Sequence, residues 1–323
     1  MPEEIEFRTK PQIGLELIDR VIANGVRVEA WTFDEAYGRN TEFLDGLEAR
    51  CQVFVGEVPV NFHGWMTEPK VLLSGPQPCR GQQKTYPRIA RRYGSSEVQN
   101  LLTYSPAFRK QVWERYRIKD TDRGPEVWEV KWAIFWRKDS NGLPSRRHCL
   151  IVARNVLTGE IKYFLSNRVP NEAGITLLWL LRVAFGRWAV ESCFRQAKEE
   201  LGLDHYEVRG WQCMHRHFFI TQLTHLFCAR MRQKFDRRNT LDDSLEHLTT
   251  EQVRRAMNTW LETTNMNPAT RNERLKQELA KQQYYQRRNR QARLSHTKTR
   301  IAKLTSLEID VNRIKSCIPK PPS

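Results

Sequence analysis

The sequence predicts an α/β fold in which an antiparallel β segment interrupts strands that alternate with helices, and a long helical region follows. Three observations predict it. At the start, two helical patterns alternate with two apolar runs, which is typical of strands joined by helices in a parallel sheet. Residues 127–137 then alternate apolar and polar side chains, the period of a β-strand. After Pro170, the spacing of apolar residues is helical to about residue 265.

The first predicted elements are bounded by capping and turn residues. In chain order they are a helix over 11–25, a strand over 26–33, a helix over 40–51 and a strand over 52–60. Gly25 ends the first helix, and Asn40 or Thr41 is a suitable N-cap for the second. The strand VRVEAWTF ends at Asp34, which the turn Tyr37-Gly38 follows closely.

The β segment is predicted from the alternation in VWEVKWAIFWR and from a hairpin behind it. One face of this strand carries Trp128, Val130, Trp132, Ile134 and Trp136, and the other carries Glu129, Lys131 and Arg137. We expect the tryptophan face to form the core of the β segment rather than a platform for stacking bases, because strand alternation normally marks burial. Residues 149–156 and 160–167 are predicted to form an antiparallel hairpin around Gly159.

The charge of the chain favours a polyanionic partner. The net charge is +16 and the isoelectric point is about 9.7, a balance for which nucleic acid is the commonest partner. Two segments carry much of the excess: residues 80–119, with a net charge of +8 from ten Lys/Arg against two Glu, and residues 271–303, with +9 from eleven against two. The second is predicted to be helical, or disordered until it is bound. No apolar run is long enough to predict a membrane span.

Seven cysteines, without a CxxC pair, are typical of reduced thiols in a cytosolic protein. A group of Cys and His residues raises the alternative of a zinc site; it consists of Cys213, His215, His217, His225 and Cys228. Its spacing matches no compact zinc motif, so packing or surface roles are favoured for these side chains.

Asp34 and the helix over 187–207 carry the candidate chemistry. At 100° per residue, Arg187, Glu191, Arg195 and Lys198 share one face of this helix, beside an apolar stripe of Val183, Val190, Phe194, Ala197 and Leu201. A surface helix with ion pairs would have the same pattern. Asp34 is equally consistent with a helix cap or turn former. Together, Asp34 and Glu191 on a basic chain suggest Mg²⁺ chemistry on phosphodiesters, with Arg187 and Lys198 neutralising phosphates.

These residues resemble the DDE transposases of bacterial insertion sequences, over most of residues 5–235. One branch of that family has a Tyr-x2-Arg-x3-Glu-x6-Lys signature, to which Arg187, Glu191 and Lys198 correspond, with Ala184 at the tyrosine position. WTFDEAYG is similar to the family's second acidic motif and places Asp34 in it. The resemblance implies an RNase H-like catalytic domain with a β-rich insertion between the second Asp and the Glu.

The resemblance also implies a further aspartate on the first strand of the sheet. Asp19 is the sole aspartate before Asp34 and falls inside a predicted helix, so the chain is predicted to be N-terminally truncated, with the first strands absent. The predicted divisions are 1–63, a partial RNase H-like core; 64–170, a basic loop and antiparallel β insertion; 171–265, the helical part with the Glu motif; and 266–323, a basic tail.

The predicted function is DNA cleavage and strand transfer at insertion-sequence ends, by an incomplete and inactive form of such an enzyme. Asp34 and Glu191 are expected to be the catalytic metal ligands for Mg²⁺, for which Mn²⁺ can substitute, and Arg187, Arg195 and Lys198 are expected to contact DNA. The expected partner is double-stranded DNA, both element ends and target, bound by a homodimer in the bacterial cytoplasm at the nucleoid. The alternative is a non-catalytic DNA-binding protein derived from a transposase. A metal-independent nuclease has no supporting Ser/His or Tyr arrangement.

Overall fold

A computed structural model describes residues 7–73, 86–90, 92–207, 209–238 and 248–318. The chain divides into two compact units. Among the described residues, the sheet unit lies within 7–187 and 296–318, and the helical unit lies within 188–295. The fold is mixed α/β, with a central, mostly antiparallel sheet and helices. None of the described helices is long and apolar enough to cross a membrane.

Among its described residues, the sheet unit has ten strands, eight of which form the main sheet. The strands are β1 Val55–Val58, β2 His63–Trp65, β3 Val71–Leu72, β4 Arg88–Ile89, β5 Ser96–Glu97, β6 Glu114–Thr121, β7 Gly124–Lys138, β8 Pro144–Asn155, β9 Ile161–Ser166 and β10 Lys315–Ser316. The main sheet has the order β1-β9-β8-β7-β2-β5; β6 also pairs with β7, and β10 pairs with β6 in parallel. Strands β3 and β4 form a separate pair.

The predicted hairpin is confirmed as β8 and β9, which pair antiparallel with Ile151 opposite Phe164. The backbone turns at Gly159, whose φ of +74° suits glycine. Asn155 supports the turn, because its side-chain oxygen accepts hydrogen bonds from the N–H groups of Leu157 and Thr158. Strand β1 pairs antiparallel with β9, so the second predicted strand belongs to the same sheet as the β segment.

The predicted strand over 26–33 was too long. Within the described residues it is reduced to a parallel bridge between Trp31 and Phe54, extended by a hydrogen bond from the Glu57 N–H to the Phe33 carbonyl. The apolar side chains nearer its start, Val26 and Val28, are exposed. The parallel direction of this pairing agrees with the sequence pattern, whereas its length does not.

Both faces of the sheet are covered by apolar side chains. Trp128 and Val130 lie in one core, against which Trp132 and Ile134 pack, as predicted, whereas Trp136 of the same predicted face is partly buried outside that core. The opposite face was expected to be the polar one, but it carries Phe135 in a second core and a fully buried Arg137. Helices on the second side therefore bury a face that the charged residues of β7 suggested was exposed.

Of the helices in the described residues, those that belong entirely to the sheet unit are α1 Lys10–Ala23, α2 Glu35–Gly38, α3 Thr41–Ala49, α4 Val98–Tyr104, α5 Pro106–Arg109 and α6 Leu177–Gly186. The first begins with a capping box between Thr9 and Gln12. The cap of α3 is Asn40, whose side-chain oxygen accepts a hydrogen bond of 2.7 Å from the Phe43 N–H. Helices α1 and α3 confirm the two helices predicted over 11–25 and 40–51.

The helical unit contains α7 Trp188–Leu201, α8 Trp211–Arg238, α9 Thr250–Thr263 and the part of α10 Pro268–Ser306 that extends to Ser295. The Thr250 hydroxyl donates to the Gln196 side-chain oxygen at 3.0 Å, and Arg254 pairs with Glu200 at 3.1 Å, so α9 packs on α7. The described part of the region after Pro170 is mainly helical, as predicted, and the basic segment over 271–303 is helical.

Candidate active site

Asp34 lies at the start of α2, directly after the short parallel pairing of residues 31–33 with β1. Its Oδ1 accepts hydrogen bonds from the N–H groups of Ala36 at 3.0 Å and Tyr37 at 3.3 Å. The residue is therefore an N-cap. Both bonds end on the same oxygen, so Oδ2 lies outside them. The capping bonds therefore orient the carboxylate through Oδ1 and leave Oδ2 outside the cap.

The backbone around Asp34 is held closely against β1. A Cβ atom on Gly38 would lie 1.9 Å from the carbonyl oxygen of Glu57 and 3.3 Å from the Cα of Val58. Only glycine allows this approach, because any side chain would meet backbone rather than a movable group. The turn Tyr37-Gly38 thus places α2 and its cap directly on the sheet.

Asp19, which was excluded from the predicted site, is paired with Arg50. It lies on α1, and its two carboxylate oxygens accept hydrogen bonds from Arg50 Nε and Nη2 at 2.6 and 2.7 Å. The Arg50 hydrogen bond lowers the pKa of this carboxyl, an effect that burial opposes. The bidentate pair occupies both oxygens of the sole aspartate that precedes Asp34 in the sequence.

The candidate residues of the Glu motif lie at and after a junction between two helices. Arg187 is the C-cap of α6 with helical backbone angles, and α7 begins at the next residue. Glu191, Arg195 and Lys198 follow on α7 and are all exposed. The guanidinium of Arg195 lies over the Trp188 ring, 5.7 Å from its centroid. This contact gives Arg195 a defined neighbour on its own helix.

The apolar stripe beside these residues is only partly buried. Ala197 is buried, but Val190 and Phe194 are about half exposed. In α8, Phe218, Ile220 and Leu223 are exposed as well. A stripe at helical spacing predicts that a face is apolar, but what covers that face depends on segments distant in sequence.

The structure does not bring the whole candidate set into one unit. Asp34 and Arg187 belong to the sheet unit, and Glu191, Arg195 and Lys198 belong to the helical unit. In the described part of the chain, no three Asp, Glu, His or Cys side chains form a group that could hold a metal ion. The convergence of Asp34 with Glu191 on a shared cation therefore stays a prediction.

The Cys and His residues weighed as zinc ligands have separate surroundings. The Nε2 of His217 lies 3.0 Å from the Gly202 carbonyl, and His225 Nδ1 lies 3.6 Å from the Cys193 sulfur. Cys228 is buried, and burial raises the pKa of its thiol. These contacts give the histidines packing roles within the helical unit.

A buried ionic network was not found by sequence reasoning. Arg137 of β7 is fully buried, and its Nη2 lies 2.5 Å from Asp45 and 3.4 Å from Glu48, both on α3. His148 of β8 is also fully buried, with its Nε2 2.6 Å from Glu48 Oε1 and its Nδ1 2.6 Å from the Arg146 carbonyl oxygen. The network fastens α3 to the middle of the sheet.

The charge states within the network follow from its geometry. Burial raises the pKa of Glu48, but the hydrogen bond from His148 and the nearby positive charges outweigh burial and lower it to about 2. The pKa of His148 is lowered, because burial outweighs its bonds to Glu48 and to the Arg146 carbonyl, which favour the charged ring. Both imidazole contacts can be hydrogen bonds at once only when both ring nitrogens carry a proton.

Comparison with known proteins bears on the part of the chain that contains Asp34. Residues 1–125 match the family model of the DDE superfamily endonucleases. The match supports a DDE transposase family, a transposase-like nuclease function and a DNA substrate. Nucleases of this superfamily generally use divalent metal ions such as Mg²⁺. The matched range includes Asp34 and ends before Glu191, so it does not bear on the Glu motif. Among curated proteins, none matches this chain.

Proposed function

We propose that this chain is a DDE-type transposase of a bacterial insertion sequence, incomplete in its catalytic site, that binds double-stranded DNA. The observation that carries the proposal is the match of residues 1–125 to the DDE superfamily, within which Asp34 follows the extended segment paired with β1. The spacing of Arg187, Glu191 and Lys198 supports the branch with the Tyr-Arg-Glu-Lys signature.

The proposed organisation follows the divisions expected from the sequence. Residues 1–63 and 171–265 would belong to an RNase H-like catalytic domain, 64–170 would be an insertion within it, and 266–323 would be a basic region. The same proposal places the protein in the cytoplasm at the nucleoid, acting on DNA as a homodimer.

The roles proposed for the side chains follow from their chemistry. Carboxylate oxygens are the ligands that Mg²⁺ prefers, and the Oδ2 atom of Asp34 lies outside its capping bonds, so Asp34 with Glu191 would hold the ion. When bound, Mg²⁺ supplies charge stabilisation at the phosphodiester. Arg187, Arg195 and Lys198 would bind phosphate oxygens and fix the position of the strand.

Incomplete catalysis is proposed because the family's first aspartate has no counterpart among the residues before Asp34. Asp19 is held by Arg50 on α1 and is not at the end of a strand. A two-metal site needs a bridging carboxylate, and metal stabilisation is worth several kcal/mol, or orders of magnitude in rate. Strand transfer of pre-cut element ends in Mg²⁺ is therefore expected to be far below that of a complete relative. Comparable strand transfer would refute this part of the proposal.

DNA binding is the property that the chain should keep. If six to ten phosphates are neutralised, the logarithm of the duplex affinity should fall against the logarithm of salt concentration with a slope of about −5 to −9. Fluorescence anisotropy with a labelled duplex measures this slope. An affinity that does not change with salt would contradict the proposal. Part of the first basic segment, Arg80, Lys84 and Arg91, lies outside the described residues.

Two substitutions separate the catalytic proposal from its alternative. Asp34→Asn keeps a side chain that caps helices as well as Asp, so the fold should be unchanged. If any metal-dependent nicking of plasmid DNA is measured, Asp34→Asn and Glu191→Gln should both remove it while duplex binding stays intact. The alternative, a non-catalytic DNA-binding protein derived from a transposase, is favoured by the pairing of Asp19 with Arg50. It predicts that parent and variants bind equally and that none nicks DNA.

A further inference from the structure

A cavity of about 320 Å³ opens on the helical unit where the segment after α7 meets the first turns of α8. Most of its lining side chains carry flat rings, namely Tyr206, Trp211, His215, His217 and Phe218, and Leu203 is a further lining residue. The rings of Trp211 and His215 lie 4.3 Å apart, and those of Tyr206 and His217 lie 5.8 Å apart.

The segments that form the cavity are joined by a side chain–backbone contact and a sharp backbone turn. The Nε2 of His217 contacts the Gly202 carbonyl at 3.0 Å, which ties the start of α8 to the end of the α7 segment. Gly202 has a φ of +69°, and its N–H bonds to the Lys198 carbonyl, so the chain leaves α7 by a sharp turn. Leu203 is buried beside this turn. The cavity therefore begins one helical turn beyond Lys198.

The rings that line the cavity keep large open surfaces. The exposed fractions are 45% for Tyr206, 51% for Trp211 and 49% for Phe218, whereas the core aromatic Phe54 is fully buried. Aromatic faces that remain exposed around a concave site suit a flat partner, because stacking buries both faces. Two imidazoles among the walls add ring nitrogens that can donate or accept hydrogen bonds.

The charges near the cavity suit a strand of nucleic acid. Arg209 precedes Trp211 in sequence and Arg216 lies between the two histidines, and both are exposed. The acidic residues of this segment, Asp204 and Glu207, are exposed and do not line the cavity. Cationic side chains beside stacking rings are the combination by which proteins hold unpaired strands.

We propose that this cavity binds an unstacked nucleobase of a DNA strand whose phosphates contact the same unit. The inference rests on the proposed function for the identity of the polymer. The aromatic walls take the base by stacking, and Lys198, one turn before the cavity, binds an adjacent phosphate. The site takes a base without strict sequence preference, since every base presents a flat face.

The test compares two single strands that differ in their bases. The full chain is titrated at fixed salt with a fluorescent thymidine oligonucleotide of about twenty residues, long enough for one binding site, and with an abasic strand of equal length. The parent should prefer the thymidine strand. Trp211→Leu should lower that affinity by roughly 5- to 150-fold, the range for loss of one stacked base, and leave the abasic affinity unchanged. Trp211→Phe should restore most of the affinity.

The matched control is Trp260→Leu on α9, which removes a tryptophan that is also 50% exposed but lies outside the cavity. It should bind both strands as the parent does. Tyr206→Leu supplies a second cavity variant if Trp211→Leu fails to fold, as judged by circular dichroism. Equal affinities of the parent for the two strands, or a cavity variant that binds thymidine strands as the parent does, would overturn the inference. So would a loss confined to self-association, which would show that a second copy covers the cavity.

The failure of this inference can be distinguished from failure of the proposed function. If duplex binding depends on salt but Trp211→Leu does not change binding of the thymidine strand, only the nucleobase site is contradicted. Absence of salt-dependent duplex binding contradicts the proposed function, whatever the single-strand result. A thymidine preference that disappears in Trp211→Leu supports the site in either case.

Discussion

Replacing Glu48 by glutamine removes the charge around which the buried network of the sheet unit is arranged. Its side chain is only 13% exposed, and its oxygens face the His148 imidazole at 2.6 Å and two cations, Arg146 at 3.1 Å and Arg137 at 3.4 Å. Glu48→Gln keeps the size of the side chain and abolishes its charge. The fully buried His148 would lose its carboxylate partner, and the fully buried Arg137 would lose the more distant of its two carboxylates while both keep their cost of burial.

The magnitude follows from the pKa of Glu48, which falls from its ordinary 4.5 to about 2 in the folded chain. A tenfold change in acid dissociation is worth about 1.4 kcal/mol, so the network stabilises the ionised carboxylate by about 3 kcal/mol. Breaking one partner out of a buried ion pair costs a similar amount, about 3–5 kcal/mol. Asp45 still contacts Arg137, so we expect a loss of about 3 kcal/mol in the free energy of unfolding.

The effect should depend on pH in a defined direction. Because the folded-state pKa of Glu48 is lower than its ordinary value, its contribution is fully present above about pH 4.5 and is lost as the pH falls toward 2. The parent and Glu48→Gln should therefore differ most near neutral pH and converge as the solution is acidified below pH 4.5.

Hydrogen exchange in increasing urea, read on peptides from α3 and β8, measures the opening of this region directly. Glu42→Gln is the matched control, since Glu42 lies exposed on the same helix and its loss should cost less than about 1 kcal/mol. Equal losses in the two variants, or a Glu48→Gln effect that stays constant between pH 7 and 3, would refute the reasoning.

Three further predictions concern other parts of the chain. Gly38→Ala should lower the free energy of unfolding by about 1–3 kcal/mol, because its Cβ would lie 1.9 Å from a carbonyl oxygen of β1. In the control, Gly186→Ala, the new Cβ enters open space, so the free energy of unfolding should change by less than about 1 kcal/mol. Cys149 is buried, which raises the pKa of its thiol, so iodoacetamide should label the exposed Cys193 well before Cys149 in the native protein. Equal labelling rates of the two cysteines, measured by mass spectrometry, would contradict the burial of Cys149. Asp19→Asn should leave the urea midpoint unchanged, because exposed ion pairs contribute little, and a clear decrease would give this pair a larger structural role.

The features predicted correctly from the sequence are those with local causes. Helix α1 was predicted from the helical periodicity of residues 11–25, and the start of α3 from the Asn40 cap. The β8–β9 hairpin follows from two apolar runs around Gly159, where only a few residues separate the strands. In each case the stabilising contact joins residues close in sequence, so the pattern contains the information needed.

The features that sequence reasoning missed depend on distant partners. Glu48 and His148 are 100 positions apart, and nothing in either local pattern marks the pair. Arg137 occupies a polar position of an alternating strand, but helices cover that face and bury the charge. The apolar stripe of α7 was recognised correctly as apolar, yet Phe194 is half exposed because coverage is a property of the assembled chain.

The buried network also bears on how Asp34 is held. Only α2 and the Asn40 cap separate Asp34 from α3, and α3 is fastened to β7 and β8 through Glu48. On its other side, Asp34 follows the residues paired with β1, and Gly38 brings α2 against the same strand. The carboxylate is thus anchored both before and after its position in the chain. Weakening the network should therefore loosen α2 as well, although Glu48 itself makes no contact with a substrate in the proposed function.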